Sequence, residues 1–141
     1  MFLGEFEYKF DSKGRVPVPP KFRPELKDGV ILMPGVEKCV MGYPLAEWEK
    51  LAANLTSGSV SPSKLRRLSR AIFATAFSLS IDGQGRLALP APLQEHALIK
   101  DEVVIVGANT YFELWNKEQW VSEKAVSQEQ AWQIIESLER H

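Results

Sequence analysis

The chain has 141 residues, 45% of them hydrophobic, a formal net charge of −1 and a single cysteine. That length holds one ordinary domain or two small ones, and halves of about 70 residues would be marginal alone, so they are expected to share a core, pack on each other or oligomerise. The composition excludes an internal disulfide and argues against a protein that coats nucleic acid by bulk charge.

Phe2, Phe6, Tyr8 and Phe10 alternate with Glu5, Glu7 and Lys9, the period of a half-buried strand. The same opening has no basic region and no long apolar run, so no signal peptide is expected, and Cys39 alone fits a reducing compartment; both point to the cytoplasm, with no membrane partner. Asp11-Ser12-Lys13-Gly14 supplies a turn, because Asp bonds the backbone two residues on and Gly tolerates positive φ. Arg15 to Val18 returns as a short strand, and Pro17, which cannot donate to a ladder, makes it an edge or irregular one. Pro20 to Leu26 reads as one or two helical turns with Phe22 and Leu26 on one face. Val30 to Met33 and Cys39 to Tyr43 read as strands. Pro44 reads as the first residue of a helix carrying Leu45, Trp48, Leu51, Ala52 and Leu55. A polar loop, Thr56 to Val60, leads to Ser61-Pro62, an N-cap and first-turn proline. The helix it starts has an apolar stripe, Leu65, Leu68 and Ile72, with Lys64, Arg66, Arg67 and Arg70 off it.

The second half repeats the first. Asp82-Gly83-Gln84-Gly85-Arg86-Leu87-Ala88-Leu89-Pro90 matches Asp11-Ser12-Lys13-Gly14-Arg15-Val16-Pro17-Val18-Pro19 with Asp, Gly, Arg and Pro in register. Phe77, Leu79 and Ile81 alternate before the turn. Pro90 to Leu98 is the short helix, Val103 to Val106 and Tyr111 to Trp115 are strands, and Asn116 caps a helix containing Trp120. The offset is 71 at Asp82 and 72 from Gly107, Phe112, Trp115 and Trp120 back to Gly35, Val40, Tyr43 and Trp48, which one inserted residue explains. Gln128 to Leu138 adds a final helix with Ala131, Ile134, Ile135 and Leu138 as its apolar face. The fold class is α+β, two pseudo-symmetric β-hairpin modules with flanking helices. The modules are bounded at 1–55 and 77–123, with a linker and basic helix over 56–76 and a C-terminal helix over 124–141.

Four roles compete for the repeated turn. The plainest is structural: Asp11 and Asp82 cap the turns, Gly14 and Gly85 tighten them, and each Arg pairs with its Asp. The second is nucleic-acid binding, since a tight turn fixes Arg15 and Arg86 at strand starts and a guanidinium suits both phosphate and the guanine edge. Lys9, Lys13, Lys21 and Arg23 make the first copy more basic, whereas Gln84 replaces Lys13 in the second; the first is expected to bind more strongly. The third is an acid–base enzyme with paired carboxylates. Each Asp is followed by Gly-Arg, neither His96 nor His141 is well placed, Cys39 sits in an apolar strand, and no metal-ligand cluster or phosphate loop is present. No enzyme, cofactor, metal or small-molecule substrate is therefore expected. The fourth is assembly through edge strands, compatible with the second.

The residues Met1-Phe2-Leu3-Gly4, both Asp-x-x-x-Arg motifs, Tyr43-Pro44-Leu45-Ala46-Glu47-Trp48, Val106-Gly107 and Phe112-Glu113-Leu114-Trp115 together resemble the MraZ family of bacterial transcriptional regulators. The resemblance implies tandem swapped-hairpin modules of the AbrB/SpoVT type, packed as a double-psi-like or swapped-hairpin barrel and pairing within one chain. It implies chains assembled as a homo-oligomeric ring, double-stranded DNA with promoter direct repeats as partner, repression of the division and cell-wall gene cluster, and association with the nucleoid. It carries the DNA-contacting role onto Arg15 and Arg86, with Lys9, Lys13 and Lys21 expected on phosphates. Lys64, Arg66, Arg67 and Arg70 are read first as a solvated or subunit-facing surface, the latter opposite a neighbour's Glu-rich C-terminal region with its six glutamates between Glu113 and Glu139, and second as a phosphate contact. The alternative class is an oligomeric interaction module without nucleic-acid binding.

Overall fold

A computed structural model describes residues 1–140; His141 lies outside the described residues. The alternating segment forms β1 (Glu5–Lys9), with Phe6 and Tyr8 turned to the core and Glu5, Glu7 and Lys9 exposed. Then come β2 (Arg15–Pro17), a 3₁₀ helix (Pro20–Leu26), β3 (Val30–Pro34), β4 (Val40–Pro44), α1 (Leu45–Ser57) and α2 (Pro62–Ile72). The second copy gives β5 (Phe77–Leu79), β6 (Arg86–Ala88), α3 (Ala91–Ala97), β7 (Glu102–Gly107), β8 (Phe112–Trp115) and α4 (Lys117–Glu139). The 3₁₀ helix and α3 occupy equivalent places but differ in winding. Pro24 lacks the N–H that an α-helical bond would need, and Glu95 stands at its place in α3.

Three local expectations shift. Pro44 ends β4 and caps α1 rather than opening it, with extended φ −65° and ψ 155°. Helix α1 runs on through Ser57, into the expected loop. The helix expected over Gln128 to Leu138 is the distal part of α4, one element of 23 residues with no Gly or Pro to break it. The Ser61 cap forms as expected, its hydroxyl accepting from the Lys64 N–H.

Six strands form one antiparallel sheet in the order β1-β7-β8-β4-β3-β5, and β2 pairs with β6 as a separate two-stranded ribbon. Strands cross between the copies: β1 pairs with β7, β5 with β3, β4 with β8 and β2 with β6. The sheet is open, ending at β1 and β5, and among the described residues it closes into no barrel. The expected double-psi-like or swapped-hairpin barrel is therefore not found as a closed sheet: β2 and β6 bond to each other and to neither edge of the larger sheet.

Register also corrects the repeat alignment. Leu32 lies opposite Phe77 and Ile105 opposite Phe6, so β3 and β7 correspond at an offset of 73, while β4 and β8 keep 72. Gly107 therefore takes the place of Pro34, not Gly35. The second copy carries two extra residues before β7 and one fewer in the next loop. A net single insertion in β7 would have turned its core face outward, since side chains alternate with period two.

The larger core lies between the sheet and a cover made of the ribbon, the 3₁₀ helix and α3. It holds Phe2, Val16, Phe22, Leu26, Leu32, Leu87, Leu93, Ile105, Phe112 and Leu114, all at most 2% exposed. Gly42 leaves room for Phe112: a Cβ on it would lie 2.3 Å from that ring. On the opposite face Cys39, Val104, Val106 and Trp115 pack with Met41 and Trp120. The distal part of α4 leaves Trp132, Ile134, Ile135 and Leu138 exposed. Among the described residues no helix is long and apolar enough to cross a membrane.

Candidate nucleic-acid interface

Both turns fold alike because each Asp carboxylate holds one. Asp11 Oδ1 accepts from the N–H groups of Lys13 and Arg15, and Asp82 Oδ1 from those of Gln84 and Arg86, all at 2.9 Å. The Gly14 N–H donates to the Asp11 carbonyl at 3.1 Å and that of Gly85 to Asp82 at 3.0 Å, with φ of +73° and +75°, which glycine adopts without strain. Each Arg reaches back to its own Asp: Arg15 Nε to Asp11 Oδ2 at 2.8 Å, Arg86 Nε to Asp82 Oδ2 at 3.0 Å.

The ribbon brings the two turns together. Arg15 lies opposite Ala88, Val16 opposite Leu87 and Pro17 opposite Arg86, so a local two-fold relation passes through the Val16–Leu87 pair. Val16 and Leu87 point into the core, and Arg15 and Arg86 share the outward face. The ribbon is extended by the Val18 N–H to the Gly85 carbonyl at 2.9 Å and the Leu89 N–H to the Gly14 carbonyl at 3.2 Å. Arg86 Nη1 also reaches Asp11 Oδ2 at 3.5 Å, so both guanidinium groups stand around one carboxylate oxygen. Arg86 is thereby engaged by two carboxylates. Arg15 uses only Nε, which leaves both of its Nη groups to meet a ligand.

The four-residue cluster is formally neutral, and both carboxyls are held below the ordinary aspartate range. Backbone N–H donation is the main cause, from Arg15 to Asp11 and from Arg86 to Asp82. Each carboxylate accepts from two backbone N–H groups and a guanidinium, and among the described residues no hydrogen bond joins the two carboxyls. Because the folded-state pKa values lie below the unfolded aspartate value of about 3.9, the stabilisation is complete above that value and lost as pH falls through the folded values. Thermal melts between about pH 5 and pH 2 should therefore fall less steeply for an Asp11→Asn, Asp82→Asn double variant than for the parent protein. Equal acid slopes would count against this linkage.

The other sequence candidates separate. Lys13 is exposed at the tip of the first turn. Lys21 is exposed on the 3₁₀ helix. Lys9 alternates with the core-facing Phe6 and Tyr8 and lies opposite Glu102, beside a groove that includes Glu7 and Lys117. It is not gathered with the ribbon arginines. Arg23 belongs to the first copy in sequence but to the second turn in space. Its Nε donates to the Val18 carbonyl at 2.9 Å, and a Cβ on Gly85 would stand 2.4 Å from its guanidinium carbon. Only the strand exchange makes that placement, which is why sequence proximity assigned Arg23 to the wrong turn.

Elsewhere, burial pushes the Cys39 thiol well up, with the nearby Glu113 carboxylate adding to the effect. The Tyr43 phenol is likewise pushed up to about 12, first by burial. Glu113 is raised by burial and accepts from Trp115 Nε1 at 3.0 Å. A thiol so disfavoured as thiolate is a poor nucleophile. Among the described residues no group of three His, Cys, Asp or Glu side chains is placed to hold a metal ion.

Family models match this chain twice, over residues 1–71 and 72–140, with the description "MraZ protein, putative antitoxin-like". Similar proteins are each named transcriptional regulator MraZ. One from Dehalococcoides mccartyi is 62% identical across the whole of both chains. One from Roseiflexus castenholzii is 41% identical over 85% of this chain and 84% of its own. One from Limosilactobacillus fermentum is 38% identical over 86% and 85%. Two matched copies covering nearly the whole sequence, and full-length identity of this order, mean that the chain belongs to the MraZ family.

Proposed function

We propose that this protein is a sequence-specific DNA-binding transcriptional regulator that presents the β2–β6 ribbon to double-stranded DNA. The carrying observation is the pair Arg15 and Arg86 on the outward face of that ribbon, fixed by aspartates and backed by core residues. A two-stranded ribbon fits the major groove, about 12 Å wide, and arginine there reads guanine O6 and N7 while flanking lysines meet phosphates. Arg15, with both Nη groups open, carries more of the readout than Arg86; Lys13 and Lys21 are phosphate contacts, and Lys9 a peripheral one. The names of the relatives support regulation of transcription.

The rest of the reading rests on the family resemblance. The protein acts as a homo-oligomeric ring in the cytoplasm, on the nucleoid, binding direct repeats upstream of the division and cell-wall gene cluster and repressing it. Its swapped-hairpin modules correspond to 1–55 and 77–123, joined by 56–76 and followed by 124–141. One module offers few contacts, so affinity arises from several subunits engaging repeats at once, through effective concentration.

The test is a gel shift with the DNA upstream of the coding region across a range of salt concentrations. Log affinity should fall linearly with log salt, at a slope of about −0.9 per phosphate contact. Binding that does not change with salt would sink the reading. A second class, an oligomeric interaction module without DNA, is favoured by one observation: exposed Trp132, Ile134, Ile135 and Leu138 on α4. Sedimentation with and without the promoter fragment separates the two.

A further inference from the structure

The cluster of Arg15, Arg86, Asp11 and Asp82 sums to zero charge, so attraction for an anion over the ribbon must come from its neighbours. At the first turn that neighbour is Lys13. At the second turn Gln84 holds the same place and supplies no charge. The residues packed beside each turn, however, come from the other copy. Gln94 stands beside Gly14, its Nε2 3.7 Å from where a Cβ would be, and Arg23 stands beside Gly85. These are equivalent positions with equivalent anchors: Gln94 Nε2 donates to the Leu89 carbonyl at 2.7 Å, as Arg23 Nε does to that of Val18. One residue is neutral and the other carries a fixed charge.

The pattern continues four residues on. Lys27 lines a groove of about 390 Å³ with Arg23, Asp82, Gly83, Gln84 and Gly85. Its counterpart Leu98 is apolar. Among the described residues neither Arg23 nor Lys27 forms an ion pair with a carboxylate. Gly83 completes the site. Its φ lies outside the left-handed region and a Cβ would meet nothing within 4 Å, so the fold does not require glycine there. Ser12 stands at that place in the first turn. A bare backbone at an open loop tip lets a ligand approach closely.

We infer that Arg23 and Lys27 form the phosphate-binding element of the second turn, lent across the strand exchange by the first copy in place of the lysine that Gln84 lacks. The ribbon then carries a cation at each end, Lys13 at one turn and Arg23 with Lys27 at the other. It can touch the phosphates on both borders of the groove into which Arg15 and Arg86 project. Asymmetric in sequence, the two turns thus each have positive charge beside them. This inference rests on the DNA-binding reading above.

The deciding variant is Arg23→Gln, which copies Gln94 and so retains a donor for the Val18 carbonyl. The probes are a fluorescent duplex carrying the sequence upstream of the coding region and an unrelated duplex of equal length, titrated across salt concentrations with Arg15→Ala in parallel. Arg23→Gln should weaken both duplexes alike, by about threefold to tenfold, and make the salt slope shallower by about 0.9 for each engaged module. Its thermal midpoint should equal that of the parent, and adding Gln84→Lys should restore affinity. An unchanged slope, loss confined to the promoter duplex, or no recovery with Gln84→Lys would each overturn the inference. So would a lowered midpoint with the slope intact, which would make Arg23 a strut. If the parent protein binds neither duplex, the DNA-binding reading falls with it; if the parent binds and only Arg23→Gln is silent, the inference alone falls.

Discussion

Replacing Arg15 by alanine is expected to lower affinity for the promoter duplex by about 5- to 150-fold per engaged module, the equivalent of about 1–3 kcal/mol for one bidentate base contact. Two effects act in the same direction. The Nη groups that could read a base edge are lost, and Asp11 loses its closest cation, leaving a carboxylate facing the DNA with only Arg86 nearby at 3.5 Å. The turn itself should survive, because Asp11 still accepts the Lys13 and Arg15 backbone N–H groups, which need no side chain. Arg86→Ala should cost less, since Arg86 already divides its donors between two carboxylates. Quantitative gel shifts with sedimentation on the same samples check both variants: affinity should fall while the assembly stays intact. An Arg15→Ala protein that binds as tightly as the parent removes Arg15 from the interface.

The largest effect on stability is expected at Phe22. Its ring meets Phe2 edge-on at 4.9 Å, Phe6 edge-on at 5.5 Å and Phe112 at 6.0 Å, and it is 1% exposed. Phe22→Ala should destabilise by about 3–5 kcal/mol, the range for emptying an aromatic site in a core, and lower the thermal midpoint by roughly 10–20 °C. Unfolding should remain one transition, because Phe22 from the first copy packs on Phe112 from the second and three of the five pairings in the sheet join strands of different copies. Two separated transitions, or a loss below about 1 kcal/mol, would contradict this account of the core. Phe22→Leu, which retains most of the volume, should cost far less.

Local chemistry was legible in the sequence wherever a residue type has one geometric use. The Asp-x-x-Gly-Arg turns, the Ser61-Pro62 cap, the alternating strand at Phe6 and Tyr8 and the buried pair Phe22 and Leu26 all form as their patterns dictate. Partner choice was not legible. Alternation states which face of β1 is buried but not that β7, about 100 residues away, lies beside it. The offset of 73 between β3 and β7 was hidden for a related reason: Gly35 and Gly107 look equivalent as letters, and only hydrogen-bond register distinguishes them. Gly107 is glycine because a Cβ would stand 2.4 Å from the Phe2 backbone, whereas at Gly35 the obstacle is the Cys39 sulfur at 2.6 Å. At the candidate interface, Arg15 and Arg86 are legible in the motif, but their meeting around Asp11 requires the ribbon. Arg23 was counted with the wrong turn because the strand exchange places it beside Gly85.

The pairing of β1 with β7 has a consequence during synthesis. Glu5 to Lys9 emerges from the ribosome first, and its partners, Glu102 to Val106, follow about 100 residues later, a delay of roughly 5–20 s at about 5–20 residues per second. Throughout that interval the β1 backbone has no strand partner on the same chain, since β1 is an edge strand bonded to β7 alone. The exchange that joins the two copies within one molecule therefore cannot be completed until the second copy has been made.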